Sequence, residues 1–337
     1  MSLATKYRPK EFSEVIGQTS VVQILEKQLE TGNISHSYLF CGASGCGKTT
    51  IARIFATKLN GSFDGLIEMD AASNNGVENI RNIVKSAKER SISTKYKIFI
   101  LDECHALTNQ SWQSLLKCIE EPPEFTIFMF CTTDPQKVPQ TIQNRCQRYN
   151  ITKLSVDAIL ARLKYIAEKE NISVNNDVLL YLTKLSEGSV RQAITYLEQA
   201  SNMSSVVSME TAVSATGGSV YTDYFTLANA IVDRDQKEIC KVVESIYNSG
   251  KDFKLFIDQF FGFCLDLTKY SLFKSISITN IPPTYSEDVK NSTNFDHSEK
   301  YYMYITDKLL NIKNGLKGET TPKQFVEAGL LRIAEWN

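Results

Sequence analysis

The sequence has no excess of charge of either sign: 37 lysines and arginines stand against 38 aspartates and glutamates, a net of -1. That balance excludes a generally basic coat for nucleic acid, so contact with a polyanion has to come from a local patch. Long apolar runs are also missing. The opening MSLATKYRPK has no signal core, and stretches such as 127–131 are far too short to span a bilayer, so the expectation is an intracellular chain with no membrane partner. The eight cysteines (Cys41, Cys46, Cys104, Cys118, Cys131, Cys146, Cys240 and Cys264) form no CxxC pair. Neither a zinc site nor a redox motif is signalled, and the thiols are expected to be reduced and to fill core space. Repeats and low complexity are absent. What remains is a 337-residue chain, 42% hydrophobic and 22% charged, long enough for two or three domains with real cores.

Four apolar, β-rich runs, at 37–41, 66–70, 97–102 and 126–133, alternate with helical patterns at 20–30, 48–60, 77–90 and 110–119. A fifth short strand is expected near 147–151. This alternation predicts a parallel sheet with helices on both faces. After residue 155 the strands stop, and amphipathic patterns at 156–170, 175–187 and 190–201 predict a small helical domain. Polar stretches at 201–208 and 216–219 mark the next boundary. The rest is again helical: Phe253, Phe256, Ile257, Phe260, Phe261 and Cys264 paint one broad apolar face, and the polar segment 277–298, with Pro282 and Pro283, is expected to be a loop.

Residues 42–49 read GASGCGKT, a full GxxxxGK[ST] match between a predicted strand and a predicted helix. Gly42, Gly45 and Gly47 let the backbone curl so that N–H groups face phosphate oxygens, and the helix N-terminus adds its dipole. Lys48 is suited to reach the β- and γ-phosphates and Thr49 to offer its hydroxyl to Mg²⁺. The alternative is a chance glycine turn. The run IFILDE at 98–103 is an apolar strand ending in two adjacent acids, which is costly without a cation to meet them. Asp102 suits Mg²⁺, and Glu103 suits orienting and deprotonating a water; a helix N-cap would explain only one acid. Thr132 and Thr133 end the next strand in CTTDP, where a hydroxyl could hold that water or the γ-phosphate, although threonine is common there for structural reasons. Arg81, Lys85 and Lys88, at i, i+4 and i+7, make one basic stripe that could follow phosphates or could simply be a solvated face.

KYRPKEFSEVIGQ, GASGCGKTTIAR, IEMDAAS, IFILDECHAL, LLKCIEEPP, CTTDPQKVPQTIQNRC and EGSVRQAI occur in this order. Over residues 4–200 the chain resembles the AAA+ clamp-loader ATPases, and EEPP and TTDPQK look more like the bacterial DNA polymerase III gamma/tau subunits than like replication factor C small subunits. The resemblance implies an α/β P-loop AAA+ domain at 1–154, a helical lid at 155–207 and an all-α collar at 208–337. It makes Tyr7, Arg8, Pro9, Ile16 and Gly17 an adenine pocket, with N-terminal packing as the alternative. The phosphate cradle runs through Gly42, Ala43, Ser44, Gly45, Cys46, Gly47, Lys48, Thr49 and Thr50. Thr133 falls on the family's sensor-1 position. Arg191 falls on its sensor-2 arginine, and Ser189 reads as an N-cap that puts Arg191 in a first helical turn, where a cation is disfavoured unless an anion is near. Arg145 stands at the arginine finger that acts on a neighbouring subunit. Asn144 replaces that motif's serine, and a structural ion pair is the alternative. Asn74, Asn75, Asn109 and Gln110 join Arg81, Lys85 and Lys88 as DNA contacts.

Two departures stand out. The bacterial subunit's four-cysteine module is replaced by five residues, 61–65, so ATP and Mg²⁺ are expected without zinc, and a phage or a streamlined lineage is suggested. The extension by which tau binds polymerase is not seen before residue 337, so polymerase tethering is not implied. The expected partners are a sliding clamp, primer-template DNA and other clamp-loader subunits in a homo- or hetero-oligomeric, pentameric ring, in the cytoplasm of a bacterial or phage-infected cell. The rival readings are another AAA+ DNA motor, of helicase-loader or branch-migration type, and a non-hydrolysing structural subunit.

Overall fold

Each apolar run of the first half becomes a strand of one parallel sheet. In the computed structural model, which describes residues 1–91, 93–217 and 221–335, these are β1 (Ser37–Cys41), β2 (Leu66–Asp70), β3 (Lys97–Asp102), β4 (Thr126–Thr132) and β5 (Gln147–Asn150), in the order β2-β3-β4-β1-β5. Positions 218 and 219 of the polar boundary stretch lie outside the described residues. β1 and β4 are buried along their whole length, as strands covered on both faces must be. The edge strands instead expose polar residues, Glu68 and Asp70 on β2 and Gln147, Arg148 and Asn150 on β5, which blunts the sheet edges.

Strand alternation sorts the core into two layers. Leu39, Phe99, Leu101, Phe128 and Phe130 face one way, against Ile80, Ile83, Trp112 and Leu115 of α4 (Val77–Ala87) and α5 (Asn109–Glu120). Tyr38, Phe40, Ile98, Ile100, Ile127 and Met129 face the other way, against Leu25, Ile51 and Phe55 of α2 (Thr19–Thr31) and α3 (Lys48–Asn60). A short α1 (Leu3–Lys6) precedes them and α6 (Gln140–Gln143) leads into β5.

α4 stops three residues short of the expected 77–90. Lys97 Nζ donates to the carbonyls of Ser86 and Glu89, and Thr126 Oγ1 to that of Ala87, so partners outside the helix take its terminal carbonyls. α3 begins at Lys48 as expected.

The contacts divide the chain into two units: Met1–Ile166 with Ser186–Thr195, and Ala167–Leu185 with Tyr196–Asn337. α7 (Val156–Lys169) and α9 (Val190–Met203) run through the cuts. The second unit also holds α8 (Asn176–Leu185), α10 (Met209–Ala215), α11 (Tyr221–Val232), α12 (Gln236–Asn248), α13 (Phe253–Phe273), α14 (Ser286–Ser292), α15 (Ser298–Gly315) and α16 (Pro322–Ala334). It departs from expectation in three places. Two-residue strands β6 (Ser173–Val174) and β7 (Val206–Val207) pair in parallel where no strand was expected. The expected loop at 277–298 contains α14, anchored by buried Val289, with Glu287 and Asp288 complementing the dipole in its first turn. On α13 the core takes Phe263 rather than Phe261, over whose ring Lys313 Nζ sits at 5.4 Å. Among the described residues no helix is long and apolar enough to cross a membrane.

Candidate active site

All catalytic candidates on the strands lie at the carboxyl ends of β1, β3 and β4, three neighbours in the sheet, where parallel α/β sheets bind ligands. After β1 the loop turns through two left-handed glycines. Gly47 (φ 106°) is the N-cap of α3 and offers no side-chain cap, so the helix's first N–H groups are left for a ligand. At Gly45 (φ 72°) a Cβ would stand 2.1 Å from Ser189 Oγ, so the loop requires glycine there on steric as well as backbone grounds. Lys48 is 5% exposed. Its Nζ donates to the Ala43 carbonyl at 3.0 Å, a single neutral partner for a buried ammonium that favours an anion nearby.

Thr49 Oγ1 donates to Asp102 Oδ2 at 2.8 Å, joining the loop to the end of β3. The next residue, Glu103, is in the left-handed region (φ 46°, ψ 42°), a conformation that costs a non-glycine residue of order 1 kcal/mol or more and concentrates at functional sites. Its carboxylate Oε2 accepts from Thr133 Oγ1 at 3.0 Å and lies 3.3 Å from His105 Nδ1.

Lys48, Thr49, Asp102 and Glu103 open onto one cavity of about 350 Å³. Tyr7, Arg8, Pro9, Ile16, Ser44, Gly45, Cys46, Gly47, Lys48, Thr49, Thr50, Asp102, Glu103 and Arg191 all line it. The remaining expected nucleotide residues stand behind its wall. A Cβ at Gly17 would meet the Leu154 side chain, a Cβ at Gly42 would meet the Ile151 carbonyl, Ala43 holds Lys48 and Thr133 holds Glu103. Ser189 Oγ accepts from the Gln192 N–H at 3.3 Å and caps α9, which leaves Arg191 in the first turn as expected.

The cavity gathers positive charge. Burial and the nearby Arg53 and Arg191 guanidinium groups push the Arg8 pKa down against the pull of Glu68 and Asp102. Arg162 also lines the cavity and donates to the Tyr7 carbonyl at 2.7 Å. With Lys48 and Arg191, four cationic side chains border the cavity against three carboxylates, Glu14, Asp102 and Glu103, a net positive lining that suits an anion. Sequence reasoning missed Arg162, which has no motif, and His105, which stood next to the acids in IFILDECHAL.

Arg145 lies apart from this cavity lining. Its Nη2 is 2.7 Å from Glu120 Oε1 and its Nη1 donates to the Thr141 carbonyl, so within one chain it makes a structural ion pair. The DNA candidates gather elsewhere. Asp70 accepts from the Ala72 N–H and the Ser73 hydroxyl and shapes the loop that exposes Asn74 and Asn75. α4 starts at Gly76 without a side-chain cap. Arg81, Lys85 and Lys88 are all exposed, Lys88 just past the helix end, while Arg81 is 3.7 Å from Glu78. Asn109 and Gln110 are exposed at the start of α5, and Ser111 Oγ donates to the Asn75 carbonyl at 2.8 Å, tying the two helix starts together.

A family model described as DNA polymerase III, delta subunit, matches residues 17–65 and 62–155. DNA polymerase III subunit gamma of Buchnera aphidicola is 32% identical, over 99% of this chain and 97% of that one. The chain belongs to the DNA polymerase III gamma/tau family. Within that family, subunit tau of Bacillus subtilis is 30% identical over 98% of this chain, and subunit gamma/tau of Mycoplasma genitalium 35% identical over 81%. The chain spans 62% and 50% of the lengths of those two relatives. The Thermotoga maritima RuvB structure superposes with a TM-score of 0.52 at 20% identity, covering 67% of this chain and 79% of that one. The fold is therefore the α/β P-loop AAA+ fold. The matched ranges of the delta-subunit model contain Lys48, Thr49, Asp102, Glu103, Thr133 and Arg145, whereas Arg191 lies beyond them.

Proposed function

We propose that this gamma/tau family chain is a clamp-loader ATPase subunit, which binds and hydrolyses ATP to open a sliding clamp and load it onto primed DNA. The observation that carries the reading is the meeting of Lys48, the Thr49–Asp102 pair and Glu103 on a single cation-rich cavity. In this reading Tyr7, Arg8, Pro9, Ile16 and Gly17 hold the adenine. The loop from Gly42 to Thr50 cradles the phosphates by its backbone, and Lys48 and Arg191 neutralise their charge. The hydroxyl and carboxylate of Thr49 and Asp102, 2.8 Å apart, form an all-oxygen donor set suited to Mg²⁺. Mg²⁺, when bound, supplies Lewis-acid polarisation of phosphate oxygens. Glu103 takes the proton of the attacking water, and Thr133 fixes the carboxylate that does so.

Arg145 completes the site of a neighbouring subunit in trans. For this it exchanges Glu120 for phosphate, an exchange that a half-exposed ion pair permits at little cost. DNA is gripped through phosphates by Arg81, Lys85, Lys88 and the starts of α4 and α5, with Asn74, Asn75, Asn109 and Gln110. The chain divides into ATPase domain, lid and collar at 155 and 208, and it assembles through the collar into a pentameric ring in the cytoplasm. The second reading is a structural subunit that does not hydrolyse ATP. The intact set of Lys48, Thr49, Asp102 and Glu103 speaks against it.

Titration with a fluorescent ATP analogue, followed by retention of the clamp on primed circular DNA, tests the proposal. Lys48→Ala is expected to weaken nucleotide binding by about 100-fold, the loss of a charge-assisted contact of roughly 3 kcal/mol, and to abolish ATP-dependent clamp retention. Undiminished nucleotide affinity in Lys48→Ala, or wild-type protein that retains no clamp with its partner subunits present, would count against it.

A further inference from the structure

A carboxylate that deprotonates water has to present one oxygen at a fixed place, and a glutamate's rotatable side chain does not hold still unaided. In this chain two groups approach the same Glu103 oxygen. Thr133 Oγ1 donates to Oε2 at 3.0 Å, and His105 Nδ1 lies 3.3 Å from it. The same ring nitrogen is 3.2 Å from Thr132 Oγ1, whose oxygen already accepts the Asp134 N–H at 3.0 Å. The ring's hydrogen bond is with the Thr132 hydroxyl, and Nδ1 stands beside the carboxylate at 3.3 Å. A bare Nδ1 would set its lone pair against the carboxylate, whereas Nδ1–H, bonded to the Thr132 oxygen, turns positive charge towards Oε2.

The scaffold around the ring is stiff. His105 sits in the 3-10 turn Cys104–Ala106, closed by Ala106 N–H to the Glu103 carbonyl and Leu107 N–H to that of Cys104. Cys104 and Thr132 are fully buried on either side. The left-handed backbone at Glu103 reverses the chain there, which brings the ring of residue 105 back to the carboxylate of residue 103. His105 does not line the cavity, whereas Glu103 does.

We infer that His105 is a positioning residue for Glu103: the imidazole, anchored by its hydrogen bond with Thr132 Oγ1 and standing 3.3 Å from Oε2, acts with the Thr133 hydroxyl to hold Oε2 in place and leave Oε1 as the oxygen that meets water. The inference rests on the proposed role of Glu103 as base, and His105 acts only through that carboxylate.

Three variants and one spectrum test it. His105→Asn keeps an N–H donor at the place of Nδ1, His105→Gln moves it to the place of Nε2, and His105→Ala removes it. In steady-state ATP hydrolysis by the assembled complex, His105→Ala is expected to lower kcat about 10- to 100-fold with KM for ATP within about twofold, the signature of a misplaced reacting group. His105→Asn should recover most of the loss and His105→Gln little of it. An unchanged or raised kcat in His105→Ala, a KM that rises in step, or Asn no better than Ala would overturn the inference. Histidine-selective ¹⁵N NMR separates this inference from the proposed function, since it requires no turnover. It should show Nδ1–H at His105 and a shifted signal in Glu103→Ala. Wild-type protein that fails to hydrolyse ATP would sink the proposed function, while an Nε2–H ring, or a signal indifferent to Glu103→Ala, would sink the role of His105.

Discussion

Both units of the molecule bury polar groups, but they close them differently. In the helical unit two of the most deeply buried polar groups are closed by their own surroundings: Asp266, 3% exposed, accepts from Lys269 Nζ at 2.9 Å and from the Asn280 N–H at 2.8 Å, and Tyr302 donates to the Ser292 carbonyl at 2.7 Å. In the sheet-bearing unit buried Lys48 has one carbonyl, half-buried Thr49 and Asp102 hold each other while Asp102 also accepts the Glu103 N–H, and all three border a cavity. A buried polar group whose partners are all internal is scaffold. One whose partner could be exchanged for a ligand is chemistry. The comparison separates the units more sharply than composition does, because both are rich in aromatic residues.

The largest effect on the scaffold side is expected at Phe260, fully buried and stacked 6.0 Å from Phe256 and 6.1 Å from Tyr224. Phe260→Ala should cost about 3–5 kcal/mol of stability in denaturant unfolding and leave the nucleotide affinity of the folded fraction unchanged. A changed affinity would break the division between scaffold and chemistry. Next is Asp266→Ala, which strands the Asn280 N–H and the Lys269 ammonium; a loss of about 1–3 kcal/mol is expected, again without a change in nucleotide affinity.

The smallest effect is one of pH. Burial pushes the Cys146 thiol from 9.0 up to about 12, and burial raises Cys104 and Cys131 as well. The folded chain therefore holds protons that the unfolded chain releases above about pH 9, and the stability these thiols contribute is present below that value and lost as the pH climbs towards the folded values. Thermal unfolding should move to lower temperature between about pH 8 and about pH 10, and substituting Cys146 by Ala should reduce that shift. A melting temperature that rises over this range would contradict the burial of these thiols.

How much could be read in advance follows the same division. The phosphate loop was legible because its function is local: eight consecutive residues, 42–49, carry the turn, the helix start and the lysine together. The strands were legible to within a residue because central parallel strands are continuous apolar runs. His105 was not legible as a functional group, since its role arises from a left-handed residue two positions back and from the alignment of β4, neither of which has a sequence period. Arg162 reaches the cavity from α7, far along the chain from the motifs it joins. In the helical unit the face of α13 was readable, but the choice of Phe263 over Phe261 depends on what packs opposite. β6 and β7, two residues each, are too short to show alternation.

The most direct test of the central claim is steady-state ATP hydrolysis with and without primed DNA and the cognate sliding clamp, in the presence of partner subunits, with Glu103→Gln run alongside. The account predicts stimulation by clamp and DNA together, and a fall in kcat of about 10²- to 10⁴-fold in Glu103→Gln with nucleotide binding retained. Hydrolysis indifferent to the clamp, or undiminished in Glu103→Gln, would contradict it.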